Sequence, residues 1–221
     1  MELALEIENL SHEFPLGKVV LKNLNFSVKT HEKLAILGPN GSGKTTLLKI
    51  LANLINPTNG TVKIFGQPVN ILSKKFRQTI AWVPASDHGF YNHLNGLENL
   101  LFFSSLQEIS KAQALQKIHR WSYYLSLDEA LRTPFFLCSS GMKQTLAIAR
   151  ALLAQPEILI LDEPTRSLDS KAAEQLREGL QQLPSRYTIV FSTHSEIDAS
   201  KLGDRQIELI PLQKEARATS L

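Results

Sequence analysis

Near the start of the chain apolar and polar residues alternate in two short stretches, Leu3/Leu5/Ile7 and Leu24/Phe26/Val28, with Pro15-Leu16-Gly17 between them. A period of two marks half-buried strands and the Pro-Gly region marks a turn, so the pattern predicts an antiparallel pair. Lys33-Leu34-Ala35-Ile36-Leu37 is a compact apolar strand that runs into a glycine-rich loop. Behind the loop, Leu47, Leu48, Ile50, Leu51 and Leu54 recur at helical spacing, which predicts a helix with all five on its inner face. Asn56-Pro57-Thr58-Asn59-Gly60 ends that unit, and 61–65 and 79–83 read as further strands. The period then changes. Helical spacing dominates over 97–106, 111–125 and 141–153, before strand patterning returns in Ile158-Leu159-Ile160-Leu161, in Thr188-Ile189-Val190-Phe191 and, more weakly, over 206–210.

Strands that alternate with helices predict an α/β fold with a mainly parallel sheet, here with an antiparallel β portion at the N-terminal end. A largely helical insertion of about 60 to 70 residues inside such a sheet predicts a subdomain. The expected organisation is one unit over 1–221, with the core and β subdomain built from 1–84 and 156–213 and a helical subdomain over about 85–155. The polar tail 214–221 is expected to fray.

Composition narrows the function classes. Hydrophobic residues at 43% and charged residues at 20% describe a globular protein with a real core, not a disordered chain. A net charge of +3 without a long Lys or Arg run is too weak a basic balance to suggest a nucleic-acid partner. Cys138 is the sole cysteine, which excludes an internal disulfide and suits a reducing cytosol. Met1-Glu2-Leu3-Ala4-Leu5-Glu6 has no basic region ahead of an apolar one and is not a signal peptide. The most apolar stretch, 147–161, is interrupted by Arg150, Gln155, Pro156 and Glu157, so no segment reaches the length of a membrane span. Work at a membrane would need another chain to do the spanning.

Gly38-Pro39-Asn40-Gly41-Ser42-Gly43-Lys44-Thr45 fits the pattern G-x-x-x-x-G-K-[ST], between an apolar strand and a helix. Glycines let the backbone curl until successive N–H groups point inward at phosphate oxygens, and the helix N-terminus adds positive potential. Lys44 would reach the β- and γ-phosphates and the Thr45 hydroxyl would ligate Mg²⁺, with Thr46 completing the nucleotide-binding stretch. The expected cofactors are ATP and Mg²⁺. A second element follows at the end of an apolar strand, Ile158-Leu159-Ile160-Leu161-Asp162-Glu163. The C-terminal end of a parallel strand is where ligands bind in open α/β sheets, so Asp162 can hold Mg²⁺ through water and Glu163 can face the γ-phosphate.

With these two motifs in order, the chain resembles the nucleotide-binding subunit of an ABC transporter over nearly its whole length. Cys138-Ser139-Ser140-Gly141-Met142 resembles the family's signature motif, Ser167-Leu168-Asp169 its D-loop, and His194 its switch histidine. Phe14 stands where the family places the aromatic that stacks on adenine. The resemblance implies a P-loop NTPase core with an inserted helical signature subdomain, and two cassettes that meet head to tail. Ser139, Gly141 and Asp169 of one would then complete the nucleotide site of the other. It also implies Glu163 as general base or water-positioner, His194 at the γ-phosphate, and a membrane-spanning partner subunit. The place implied is peripheral, on the cytoplasmic face of a membrane.

Some positions depart from the family pattern. After Val83-Pro84 the family has a Gln; here Asp87 stands in for it as a metal ligand, or Ala85 or Ser86 is the aligned residue. Met142 in place of Gln, and Gly89-Phe90-Tyr91-Asn92-His93-Leu94-Asn95-Gly96-Leu97-Glu98-Asn99-Leu100, resemble exporter-type cassettes. Arg166 either contacts the opposite cassette or is an ordinary surface arginine. The segment 87–103 is either a docking surface for the membrane subunit or a seam of the core. A soluble ABC-type ATPase acting on nucleic acid or ribosomes is the alternative. DNA-repair members need a long coiled coil, yet only about a hundred residues separate Lys44 from Ser139 and none reads as sustained heptads. A degenerate, non-hydrolysing cassette is opposed by Lys44, Asp162, Glu163 and His194, all present.

Overall fold

The computed structural model describes residues 2–15, 17–69, 79–86 and 89–212. Asp87 and the tail 214–221 lie outside the described residues. Strands β1 (Leu3–Phe14) and β2 (Lys18–Lys29) pair antiparallel, as the alternation predicts. With β4 (Asn59–Ile64) and the two-residue β5 (Gln67–Pro68) they form a sheet in the order β2-β1-β4-β5. The second sheet is parallel throughout, in the order β6-β7-β8-β3-β9. Its strands are β3 (Lys33–Leu37), β6 (Ile80–Val83), β7 (Ile158–Leu161), β8 (Thr188–Thr193) and β9 (Arg205–Glu208).

Helix α1 (Lys44–Leu51) follows β3. The insertion carries α2 (Gly96–Leu106), α3 (Lys111–Leu125), α4 (Asp128–Arg132) and α5 (Ser140–Leu153). Reciprocal caps start two of these, Asn95 with Glu98 at α2 and Ser110 with Gln113 at α3. Each cap satisfies two N–H groups that the helix itself cannot. Helices α6 (Ser170–Gln182) and α7 (Glu196–Leu202) close the fold.

The central strands β7, β8 and most of β3 are buried on both faces, and the period of two divides the core. Leu34, Ile36, Ile158, Ile160 and Val190 point to the side of the antiparallel sheet and α1. Ala35, Leu159, Leu161, Ile189 and Phe191 point the other way, into a cluster with Leu100, Trp121 and Leu146 of the helical insertion. The insertion therefore shares one face of the sheet as its own core floor.

One expectation fails locally. Leu47, Leu48, Ile50 and Leu51 are buried, but Leu54 is 56% exposed. The helix ends at Ala52, and Asn53 turns the chain at φ 54. Asparagine tolerates that left-handed conformation better than most residues, so the helical register stops before Leu54. Among the described residues, no helix is long and apolar enough to cross a membrane.

Candidate functional site

The C-terminal ends of β3, β7 and β8 converge on one edge, where the chain leaving β3 forms the glycine-rich loop. A Cβ on Gly38 would stand 2.4 Å from the carbonyl oxygen of Leu209, so no other residue fits without moving backbone. Gly43, at φ 98, opens α1 in a left-handed conformation with no side-chain cap on the helix N-terminus. The loop's own Ser42 hydroxyl is buried without a partner. Uncapped amides and an orphan hydroxyl at one helix start make a site that calls for an anion.

Lys44 is buried in this loop. Its Nζ donates to the carbonyls of Gly38 at 2.7 Å and Pro39 at 3.1 Å, and pairs with Glu163 Oε1 at 3.1 Å. Thr45 Oγ1 donates to Asp162 Oδ2 at 2.8 Å, and Thr46 lies half-buried behind it in α1. Pro39, Asn40 and Gly41 form the exposed crest of the loop. Asp162 and Glu163 extend from β7, whose four residues are all buried. The other oxygen of Asp162 accepts from Ser192 Oγ at 2.6 Å, and the same hydroxyl accepts the N–H of Glu163 at 2.9 Å. Glu163 is held at φ 45, a left-handed backbone that a non-glycine residue adopts only when its surroundings impose it. Its second oxygen lies 2.6 Å from Nδ1 of His194. The carboxylate engages the ring through Nδ1 and leaves Nε2, on a side chain 54% exposed, as the nitrogen open to a ligand.

The residues fit a hard divalent cation brought in with phosphates. Thr45 and Asp162 supply neighbouring oxygen donors, as Mg²⁺ prefers, and the rest of its shell would be water and substrate oxygen. No group of three or more His, Cys, Asp or Glu side chains gathers among the described residues, which excludes an all-protein cage there.

The remaining predicted residues are placed apart from the loop. Phe14 ends β1 with its ring 39% exposed and set edge-on to His12 at 4.7 Å. Ser139 caps α5, its hydroxyl accepting from the N–H of Met142 at 3.2 Å. Asp169 caps α6 in the same way through Ala172 at 2.9 Å. A Cβ on Gly141 would stand 3.0 Å from that of Ala172, so the two helix starts abut. Among the described residues, no hydrogen bond or ion pair joins Ser139, Gly141, Asp169 or Phe14 to the 38–46 loop. Ala85 and Ser86, the alternatives to Asp87, line a pocket of about 460 Å³ with Phe90, Lys143 and the exposed Arg166. The segment from Gly89 onward is divided. Phe90 stacks on Phe135 at 4.7 Å and Leu97 packs on the core, while Tyr91 is 51% exposed beside exposed Phe136 and Leu137.

Sequence reasoning passed over Ser192, Thr193, Thr165 and Asp198. The available signal was the polar end of an otherwise apolar strand, Phe191-Ser192-Thr193, read only for the histidine that follows.

Comparison with known proteins agrees with this geometry. The family model described as ABC transporter matches residues 21–166. The chain is 36% identical over 203 residues to the uncharacterised ABC transporter ATP-binding protein YxlF of Bacillus subtilis, covering 92% of this chain and 66% of that protein. It is 33% identical over 216 residues to the ergothioneine transport ATP-binding protein EgtV of Helicobacter pylori, covering 96% of this chain and 100% of that one. Both directions of transport occur among the relatives. A Nod factor export ATP-binding protein of Burkholderia orbicola is 38% identical over 85% of this chain and 62% of its own length. A molybdate/tungstate import ATP-binding protein of Pyrococcus horikoshii is 31% identical over 91% of this chain and 58% of its own length. The chain thus spans all of one relative and about two thirds or less of the other three. Among solved structures, a dimeric bacterial ABC transporter cassette superposes with a TM-score of 0.82 at 30% identity, covering 93% of this chain and 94% of that one. The same cassette in a dimeric post-hydrolysis state, bound to ADP and Pi, gives 0.81, with 95% and 97% covered.

Proposed function

Since the chain belongs to the ABC transporter family of ATPases, we propose that it binds and hydrolyses ATP, paired head to tail with a second cassette around the nucleotide, and so drives a separate membrane-spanning subunit. The observation that carries this reading is Glu163, a buried carboxylate touching both the loop lysine and His194.

In the nucleotide-free protein Glu163 neutralises Lys44. An arriving γ-phosphate offers Lys44 a stronger anion, and the loop amides of 40–45 take the remaining phosphate oxygens. Glu163, still held by His194 and the Ser192 hydroxyl, is then free to take a proton from water. That water attacks the γ-phosphorus, the bond to the bridging oxygen breaks, and ADP and phosphate result. Thr45 and Asp162 would hold Mg²⁺, which would neutralise part of the phosphate charge. Through Nε2, His194 would contact the γ-phosphate and the attacking water.

Ser139 and the amide of Gly141 are uninvolved in their own loop and suit the γ-phosphate of a second cassette, with Asp169 beside them. The dimeric relatives support this pairing. Bridging phosphate would then hold the dimer and its loss would release it, a population shift by differential contact. Phe14 would stack on the base. A core with β subdomain over 1–84 and 156–213 and a helical subdomain over about 85–155 is the division we adopt. The membrane subunit would dock at the exposed residues around Tyr91, placing the chain on the cytoplasmic face. Export is our reading of direction, from Met142 and the pattern over 89–100; importers are also among the relatives.

Sedimentation of the purified chain without nucleotide, with ADP, and with ATP plus chelator tests the reading alongside an ATPase assay. A dimer with ATP alone, and phosphate release with Mg²⁺ present, is the expected result. A chain that stays monomeric with ATP and releases no phosphate would overturn it.

A further inference from the structure

Directly behind the site, five side chains outside the reading above form a polar knot. Asp198 of α7 is only 3% exposed. Its Oδ1 accepts from Arg177 Nη1 of α6 at 2.7 Å. Its Oδ2 accepts from the hydroxyl of Thr165 and from that of Thr193, the latter at 3.2 Å. The Asp198 N–H donates to Ser195 Oγ at 3.3 Å, and Thr193 Oγ1 in turn accepts the N–H of Ser195 at 3.0 Å. Every bond on this carboxylate is thus directed and accounted for.

The chain positions give the knot its meaning. Thr165 lies two residues after Glu163, and Thr193 immediately precedes His194. One carboxylate oxygen therefore ties the strand exit that carries Glu163 to the strand exit that carries His194, and those two side chains meet at 2.6 Å. Along the end of β8 the work is divided residue by residue: Ser192 serves Asp162, Thr193 serves Asp198, and His194 serves Glu163. A plain tether between α6 and α7 would need only Arg177, and Glu174 of α6 already bridges those helices through Lys201 of α7. The two threonine hydroxyls are surplus to that task. Glu163, at φ 45, also has a backbone in need of outside support.

We propose that Asp198 is a positioning residue, which clamps Thr165 and Thr193 so that Glu163 and His194 stay in reacting geometry, without touching nucleotide itself. The inference rests on the hydrolytic reading given above.

Steady-state ATPase assays on Asp198→Asn and Thr165→Val test it, with melting curves and ATP binding measured on the same preparations. Supporting groups of this kind are typically worth about 10- to 100-fold in activity. The expected result is kcat lowered about 10-fold or more in Asp198→Asn, with KM for ATP within about twofold. Thr165→Val leaves the Asp198–Arg177 pair in place, so it should lower kcat without lowering the melting temperature. In a Glu163→Gln background, Asp198→Asn should leave the residual rate unchanged, because it acts through the Glu163–His194 pair that this change has already disabled. Wild-type kcat in both single variants, or losses that add in the double variant, would overturn the proposal. If Asp198→Asn does not fold, Thr165→Val alone decides by the same criterion. An inactive wild-type protein would defeat the hydrolytic reading itself, whereas an active one with unaffected variants defeats only the positioning role.

Discussion

Glu163 sits between a cation and an imidazole, so a change there acts on binding and on chemistry separately. Glu163→Gln keeps the size and loses the charge. Steady-state phosphate release should fall about a hundredfold or more, the usual loss for a general base. Without its carboxylate competitor Lys44 meets phosphate more readily, so the dissociation constant for ATP should stay level or fall. Lys44→Ala should instead raise that constant, since it removes a buried cation in contact with the loop carbonyls. Near-wild-type turnover in Glu163→Gln would remove the residue from its role. Phe14 makes a different case: a half-exposed ring offers stacking area and no hydrogen-bond code. Phe14→Ala should weaken ATP and GTP by similar factors in equilibrium titrations, and a selective loss of ATP would refute simple stacking. Lys44, Thr45, Asp162 and Glu163 are legible in sequence because their motifs are contiguous and their chemistry is explicit. Ser192 and Asp198 are not, because a hydroxyl or a buried carboxylate has meaning only through partners about thirty residues away, which pairing of parallel strands brings near.

At the scale of elements, the start of α5 concentrates several constraints within four residues. Cys138 lies buried just before the cap, with Sγ 3.7 Å from the carbonyl oxygen of Thr133. Burial pushes its thiol above the usual cysteine range, and nearby Lys143 only partly offsets this. A raised value means less thiolate at any pH below it, so maleimide labelling near neutrality should be slow in the folded protein and fast in urea. Fast stoichiometric labelling of the native protein would show that this helix start opens. One step further, Ser139→Ala removes the cap and should cost about 1 kcal/mol in a denaturant melt. These elements are legible from sequence to different depths. Apolar spacing locates β3 and α3 at their observed bounds, since burial imposes the period. Spacing overruns at Leu54 because it carries no information on where Asn53 turns the backbone. It also passes over β5, two exposed residues held by backbone bonding to β4.

At the scale of the whole molecule, the parallel sheet carries a nucleotide edge at its strand ends and separates two apolar clusters. A cassette that moves another chain needs a surface that feels changes at that edge. The chain leaving β6, beside β7 in the sheet, runs within a few residues to Phe90 and Tyr91. Phe90 turns inward, its ring against Phe135 and under Arg150 at 4.7 Å, so it registers the position of the helical insertion. Tyr91 turns outward, edge-on to Phe102 at 4.8 Å and 51% exposed. Phe136, whose N–H donates to the carbonyl of Asn92 at 3.1 Å, and the following Leu137 are exposed as well. Large exposed apolar groups gathered in one region mark interaction sites. The Tyr91 backbone is held without its side chain, since its N–H donates to Asn99 Oδ1 at 2.8 Å and its carbonyl accepts from Asn99 Nδ2 at 3.0 Å. Tyr91→Asp should therefore fold, melt close to wild type and bind ATP, while a carboxylate placed in an apolar contact opposes docking. Fractionation and detergent co-purification should find the variant released from membranes and from its spanning partner, with transport lost. Assembly and transport at wild-type levels, or a variant that unfolds, would assign Tyr91 to the packing of the insertion and move the docking surface elsewhere.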